Sequence, residues 1–386
     1  MSLGQEIDIL FIAEFAQGGG ALRYAQDLLT HLLDRGFSVG LVPFGPENDL
    51  LRGRPDNSSL HTVSSAQALR VAEEAMNRFG RNPLGYRAEV RRIRQLIGAK
   101  GWQPSVYISS VCSPGRFLGA APRGVGHLQI NHTYPRGLKH AVAGFSFGHA
   151  AQNTTLIGVS DFVSNRLNAT WGLRGDNRCV TIGNTMGPAP ASVKSFAHRT
   201  NTVLTVGALN YEKNPQAVVE VAKTLRNLEL PVGQGNQIRF VWLGDGYLLE
   251  PMRAEVAKEG LGELVRFEGF QPNPSEWYQA AKVYFQPSAV DSAPLALLDA
   301  FRWGLPSLAS GVGGLPEMLG PEATHSVVDP GNPDEAARKM LRLLSDEHLW
   351  DRSSRAVRER YQQGHSPVAW AEKIDSMLYK LGATHH

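Results

Sequence analysis

The chain has 386 residues, 42% of them hydrophobic and 19% charged, with a formal net charge of +3. That length exceeds one ordinary core and predicts two domains, while the composition excludes a disordered chain and the small charge excludes a global demand for nucleic acid. No run approaches the ~18 apolar residues of a membrane-spanning helix, and the distant Cys112 and Cys179 form neither a CxxC metal motif nor a disulfide framework, which predicts a reducing, cytoplasmic setting.

The opening MSLGQEIDILFIAEF lacks the basic region and small-residue cleavage site of a secretory signal. Within it Ile7 to Phe15 is a continuous apolar run suited to a buried parallel strand. The loop AQGGG, with Gly18, Gly19 and Gly20, follows. Leu22, Ala25, Leu28, Leu29, Leu32 and Leu33 then recur at helical spacing until Gly36, and Ser38 to Phe44 is the next strand. This βαβ unit puts its glycine loop at the carboxyl end of the first strand, where open parallel sheets bind ligands. A nicotinamide fingerprint is not met, because the third glycine does not fall inside the helix and the second strand ends Pro43, Phe44, Gly45 without an acid.

Residues 70–94 carry seven arginines, Arg70, Arg78, Arg81, Arg87, Arg91, Arg92 and Arg94, on a segment whose Val90, Ile93, Leu96 and Ile97 mark a buried stripe. Glu73, Glu74 and Glu89 dilute the charge, so a solvated face is favoured over peripheral contact with the inner membrane surface. No aromatic interleaving suggests a nucleic-acid groove.

Ser105 to Ser110, His127 to His132 and Thr154 to Ser160 read as further strands, and residues 186–200 lose the apolar periodicity and read as a linker. A second series follows: Thr202 to Leu209, Ile238 to Gly244, Val265 to Gly269, Lys282 to Ser288 and Pro306 to Ser310, separated by amphipathic helices. The α/β class with two Rossmann-like parallel-sheet domains facing across a cleft is the expected architecture: residues 1–185, a linker at 186–200, and residues 201–365, with a last helix in 366–386 packing back toward the first domain.

DSAPLALLDA, residues 291–300, sets Asp291 just before a helix and Asp299 inside it. Ser292 is expected to cap that helix, Pro294 to sit in its first turn, Leu295, Leu298 and Phe301 to form the buried stripe, and Gly304 with Pro306 to end it. An acid at a helix start suits the macrodipole, which accounts for Asp291. It does not account for Asp299, whose carboxylate among apolar neighbours needs hydrogen-bonding partners such as ribose or sugar hydroxyls.

The stretch DSAPLALLDAFRWGLPSLASGVGGLPEML resembles the C-terminal signature of the retaining GT-B glycosyltransferases of the GT4 group: an acid, seven residues, an acid, a Gly–Pro turn and a Gly-Gly-x-Pro-Glu loop. Asp291, Asp299, Gly304, Pro306, Gly313, Gly314, Pro316 and Glu317 fall in register with it. AQGGGALRYAQDLLTHLLDRGFSV, INHTYP, GVSDFVSNRL, TIGNTM, VGALNYEKNP, WLGDGYLLEPM and VRFEGF are similar to the family's other segments, in order along nearly the whole chain.

The resemblance implies transfer of a sugar from a nucleoside-diphosphate-sugar, UDP- or GDP-linked, to a glycan, lipid-linked or small-molecule acceptor with retained configuration, without a metal or resident cofactor. It implies that Lys213 neutralises the diphosphate, helped by amides around Ala293 and Leu295, that Asp299 holds the ribose, and that Asp291 contacts the transferred sugar. His132 would lie near the reacting centre, and Gly18, Gly19, Gly20, Gly313 and Gly314 would let the donor approach the backbone. Two positions depart from the pattern: Ala208 stands where the family has arginine, with Arg136 and Arg266 as candidate substitutes, and both glutamates are aspartates. These departures motivate an alternative, a non-catalytic GT-B protein that binds glycan or a partner. A nucleotide-sugar epimerase is disfavoured by the transferase order of the motifs.

Overall fold

The structure, a computed structural model, describes residues 7–15, 19–51, 58–79, 83–135, 154–175, 178–227, 237–320 and 326–383. The chain divides into two compact units, Met1–Asn184 with Trp370–His386, and Thr185–Ala369.

In the first unit the described elements run β1 (Ile9–Glu14), α1 (Gly20–Asp34), β2 (Val39–Phe44), α2 (Glu47–Leu50), β3 (Leu60–Thr62), α3 (Ser65–Phe79), α4 (Pro83–Ala99), β4 (Val106–Val111), β5 (Gly126–Asn131), β6 (Thr154–Gly158), α5 (Asp161–Trp171) and β7 (Val180–Thr181). The strands form one sheet in the order β3-β2-β1-β4-β5-β6-β7, every pair parallel. The six leucines and alanines of α1 that the spacing selects are all buried, joined by Tyr24. Gly36, at φ +86°, turns the chain after the helix in the left-handed region that glycine enters without a Cβ clash.

The second unit runs β8 (Thr200–Val206), α6 (Gln216–Asn227), β9 (Arg239–Leu243), α7 (Leu249–Lys258), β10 (Val265–Gly269), α8 (Ser275–Ala280), β11 (Ala281–Gln286), α9 (Leu295–Arg302), β12 (Ser307–Ser310), α10 (Leu315–Leu319), β13 (Val327–Val328), α11 (Pro333–Ser345) and α12 (Glu347–Gly364). Its sheet order is β10-β9-β8-β11-β12-β13, again all parallel. One face packs α6 and α11 on Val203, Phe240 and Phe285; the other packs α9 and α10 on Leu204, Tyr284 and Ala309. A last helix, α13 (Pro367–Lys380), joins the first unit from Trp370 onward. There Trp370 edges the Tyr24 and His31 rings, and His31 Nε2 meets Asp375 Oδ1 at 2.7 Å.

Several expectations are corrected. The short edge strands β3, β7 and β13 carry too few residues for a periodic signal. Pro294 is the N-cap of α9, in extended conformation at ψ 127°, and no side chain caps the helix. Ser292 lies farther out, with its amide donating to Asp291 Oδ1. Leu297 is buried in α9, whereas Leu295 is only partly so. Glu89 does not dilute a solvated charge, because it is fully buried.

The middle of the first sheet holds a polar row. His127 is fully buried, its Nε2 2.8 Å from Ser109 Oγ and its Nδ1 3.3 Å from Thr154 Oγ1, beside buried Gln129 and Asn131. Burial pushes its imidazole from 6.5 down to about 3. The folded chain thus holds His127 neutral where the unfolded chain protonates it. Its contribution to stability is intact above pH 6.5 and is lost as pH falls toward 3, at ~1.4 kcal/mol per pH unit. Denaturant unfolding at pH 6, 5 and 4 is expected to show this slope, and His127→Gln to lower it by that amount, leaving the share of His132, whose imidazole burial also pushes down; an unchanged slope in the variant would assign it elsewhere.

Candidate functional site

In the second sheet the strand order reverses between β8 and β11. Loops leaving the carboxyl ends of these neighbours diverge, and such a switch point is where open α/β sheets bind ligands. Lys213 follows β8 and Asp291 follows β11. The topology therefore brings together two residues 78 positions apart, with Lys213 Nζ 2.5 Å from Asp291 Oδ2.

Local chemistry fixes both loops. After β8, Asn210 Oδ1 accepts from Lys213 N at 3.0 Å, and Asn214 takes φ +52° to turn into α6. Glu212 O accepts from Ala289 N at 2.8 Å and Val290 N at 3.3 Å, which sews the lysine loop to the acid loop. From inside the sheet a polar chain reaches the acid: Tyr284 OH donates to Gln286 Oε1 (2.5 Å), Gln286 Nε2 to Ser288 Oγ (2.8 Å), and Ser288 Oγ to Asp291 Oδ2 (3.0 Å). The glycine loop after β12 closes the group, since Gly314 N donates to Asp291 O at 3.2 Å and Gly313 sits at φ +58°.

Asp299 is buried in the second turn of α9 and is paired with Arg302, whose Nη1 also donates to Pro188 O at 3.2 Å. Burial first, then neighbouring charge including Asp299, pushes the Tyr278 and Tyr284 phenols well above their ordinary range. They remain neutral hydrogen-bonding groups. Ala293 and Leu295 are half-buried on either side of the Pro294 cap, so the entrance to α9 is lined by small and apolar side chains. Ala208 is exposed, Arg266 is exposed within β10, and Arg136 lies outside the described residues.

The first unit has its own switch point, between β1 and β4. Glu14 ends β1, and its carboxylate accepts from Cys112 N and Ser113 N at 2.9 Å, Ser113 Oγ at 2.9 Å and Arg116 Nη1 at 2.6 Å. Burial, with the Glu14 charge adding, pushes the Cys112 thiol up to about 12, so it is no thiolate nucleophile at neutral pH. His132 follows β5. Its Nε2 lies 2.8 Å from Ser110 Oγ, and the Tyr24 ring meets it edge-on at 5.1 Å. Burial pushes its imidazole down to about 4, against the opposing pull of Glu14, so it is neutral at pH 7. Gly19 is the extended N-cap of α1 and Gly20 its first residue, while Gly18 lies outside the described residues.

Several polar partners were not singled out from sequence: Glu14, Ser113 and Arg116, the Gln286–Ser288 chain, and Arg302 beneath Asp299. Gln286 had a legible signal, a polar residue closing the apolar run Val283 to Phe285. An exposed aromatic pair was also missed. Tyr211 and Tyr247, 5.6 Å apart with Tyr247 OH accepting from Tyr211 N, stand beyond the ends of β8 and β9.

The profile of the family described as "Glycosyl transferases group 1" matches residues 191–362. Among curated proteins, the D-inositol 3-phosphate glycosyltransferase 1 of Catenulispora acidiphila is 26% identical over 186 residues, 47% of this chain and 44% of that protein. The 2-deoxystreptamine glucosyltransferase of Streptomyces kanamyceticus is 31% identical over 143 residues, 36% and 35% of the two chains. These matches span less than half the length of either relative. Solved structures align over the whole chain: a glycosyltransferase from Rickettsia africae gives a TM-score of 0.77 at 14% identity, covering 98% of this chain and 100% of that one. Anabaena HepE in complex with UDP gives 0.72 at 16%, covering 97% and 100%. With two parallel-sheet units, the fold is GT-B, and residues 191–362 of the chain match the glycosyl transferases group 1 family.

Proposed function

We propose that the chain is a retaining glycosyltransferase that moves a sugar, of hexosyl type, from a nucleoside-diphosphate-sugar to a glycan, lipid-linked or small-molecule acceptor without a metal ion. The observation that carries this reading is the Lys213 ammonium at the β8/β11 switch point, on the loop that packs against the entrance to α9. A cation held there stabilises the negative charge that develops on a departing diphosphate. That HepE was solved with UDP supports UDP as the first nucleotide to try.

In this reading Lys213 binds the diphosphate with amides around Ala293 and Leu295, Asp299 binds the ribose, and Gly313 and Gly314 keep the wall close to the donor. Gly18, Gly19, Gly20 and the neutral His132 serve the reacting centre from the first unit. Cytoplasmic action suits the two free cysteines, and α4 carries the exposed Arg87 and Arg91 that could meet an anionic surface, Arg94 being taken up by the carbonyls of Gly119, Ala120 and Ala121. Among the described residues no helix is long and apolar enough to cross a membrane.

Calorimetric titration of UDP, GDP and ADP, without metal, tests the reading. One nucleotide is expected to bind, and Lys213→Ala and Asp299→Ala are each expected to weaken it, the lysine change by about 30-fold or more, since an unpaired buried charge costs ~2 kcal/mol upward. Absence of binding at millimolar nucleotide would overturn it. A glycan- or partner-binding protein would then be favoured, a reading motivated by Ala208 and by a lysine already paired with Asp291.

A further inference from the structure

The Asp291 carboxylate carries four hydrogen bonds. Oδ2 accepts from Lys213 Nζ at 2.5 Å, Ser288 Oγ at 3.0 Å and Gln286 Nε2 at 3.4 Å, and Oδ1 accepts from Ser292 N at 3.1 Å. A carboxylate offers about four acceptor positions. Here Oδ2 is fully engaged from within the protein, three donors sharing it with Lys213 the nearest, while Oδ1 accepts one bond. The anchoring side chains are themselves fixed, Gln286 and Ser288 being buried and Gln286 Oε1 taken by Tyr284. The backbone is held as well, by Ala289 N and Val290 N on Glu212 O and by Gly314 N on Asp291 O.

We propose that Asp291 acts through Lys213, as a latch that holds the ammonium over the switch point in the empty site and releases it to the donor diphosphate. The proposal rests on the donor reading above and makes Asp291 a residue that positions Lys213. Its sign follows from charge. A carboxylate 2.5 Å from the ammonium competes with phosphate for one cation and repels the incoming anion. Ala208 supplies no second charge to dilute that competition.

A double-mutant cycle tests the latch with UDP as probe, using wild type, Asp291→Asn, Lys213→Met and the double variant. Asp291→Asn is expected to bind UDP about tenfold more tightly at low salt, with the gain shrinking as salt rises, and to turn over more slowly because the lysine loses its orientation. In the Lys213→Met background the same substitution gains much less. Reductive methylation followed by mass spectrometry reads the pair without nucleotide, and Lys213 is expected to react several-fold faster once its carboxylate is removed. Asp291→Ser carries the same expectations if Asp291→Asn does not fold. Unchanged UDP affinity together with unchanged Lys213 methylation would overturn the latch, as would a variant that weakens UDP-glucose while leaving UDP binding unaltered. If wild type binds no nucleotide, the donor reading fails and the methylation rates alone still decide whether Asp291 holds Lys213.

Discussion

Arg116→Met is expected to destabilise the first unit by ~3–5 kcal/mol, because it strands the buried Glu89 carboxylate and removes the cation paired with Glu14. Arg116 donates to Glu89 at 2.6 and 3.1 Å and to Glu14 at 2.6 Å, and its guanidinium lies 4.8 Å from the centres of both the Phe44 and Phe117 rings. Burial disfavours its charge, yet the hydrogen bonds and charges of Glu89 and Glu14 outweigh burial and keep it protonated. Glu89 projects from α4 and is fully buried, so without Arg116 it must take up a proton or open the packing around it. Methionine fills the space between the rings but supplies no charge. Denaturant unfolding checks the size of the loss, and adding Glu89→Gln to Arg116→Met is expected to recover part of it by removing one stranded charge. A loss below ~1 kcal/mol would mean that the cluster does not bind these elements together.

That cluster shows which information the sequence withholds. Parallel strands buried on both faces are continuous apolar runs, so Ile7 to Phe15 could be read directly, and the order of glycine loops and helices implied two such sheets. Glu89, by contrast, lies among Arg87, Arg91 and Arg92 and reads like one more solvated charge. Its burial is set by Arg116, 27 positions away on a loop beyond β4. His127 and Gln129 pose the same difficulty, since a polar residue inside an apolar strand does not reveal whether its partner is water or a neighbouring strand.

At the candidate site the positions were legible and the bonding was not. The spacing of Asp291, Asp299, Gly313 and Gly314 survives in one chain because each occupies a fixed place on a loop or helix. Which donors an acid accepts depends on strands that meet only after folding. Lys213 reaches Asp291 because β8 and β11 are neighbours, and Ser288 and Gln286 reach it because β11 ends beneath it. Shortening glutamate to aspartate withdraws the carboxylate by one methylene, and in this chain the shorter arm rests among those inner donors.

The glycine loop after β12 supports the second large prediction. Gly313→Ala is expected to cost ~3 kcal/mol or more and to disable nucleotide binding, through the backbone of Asp291. A Cβ on Gly313 would stand 1.8 Å from Asp291 O, and φ +58° disfavours any side chain there by ~1 kcal/mol even in open space. A clash with a carbonyl cannot be relieved by choosing another rotamer. Either the loop moves, breaking the Gly314 N to Asp291 O bond, or Asp291 moves and its carboxylate leaves Lys213. Gly207 provides the control at the same switch point, because a Cβ there would meet only the Lys213 side chain at 3.8 Å, an ordinary contact with a flexible group. Gly207→Ala is therefore expected to unfold within ~1 kcal/mol of wild type, while Gly313→Ala melts earlier and loses UDP binding. If both variants melt alike and Gly313→Ala still binds UDP, the loop does not hold Asp291 in place, and the carboxylate is positioned by Ser288 and Gln286 alone.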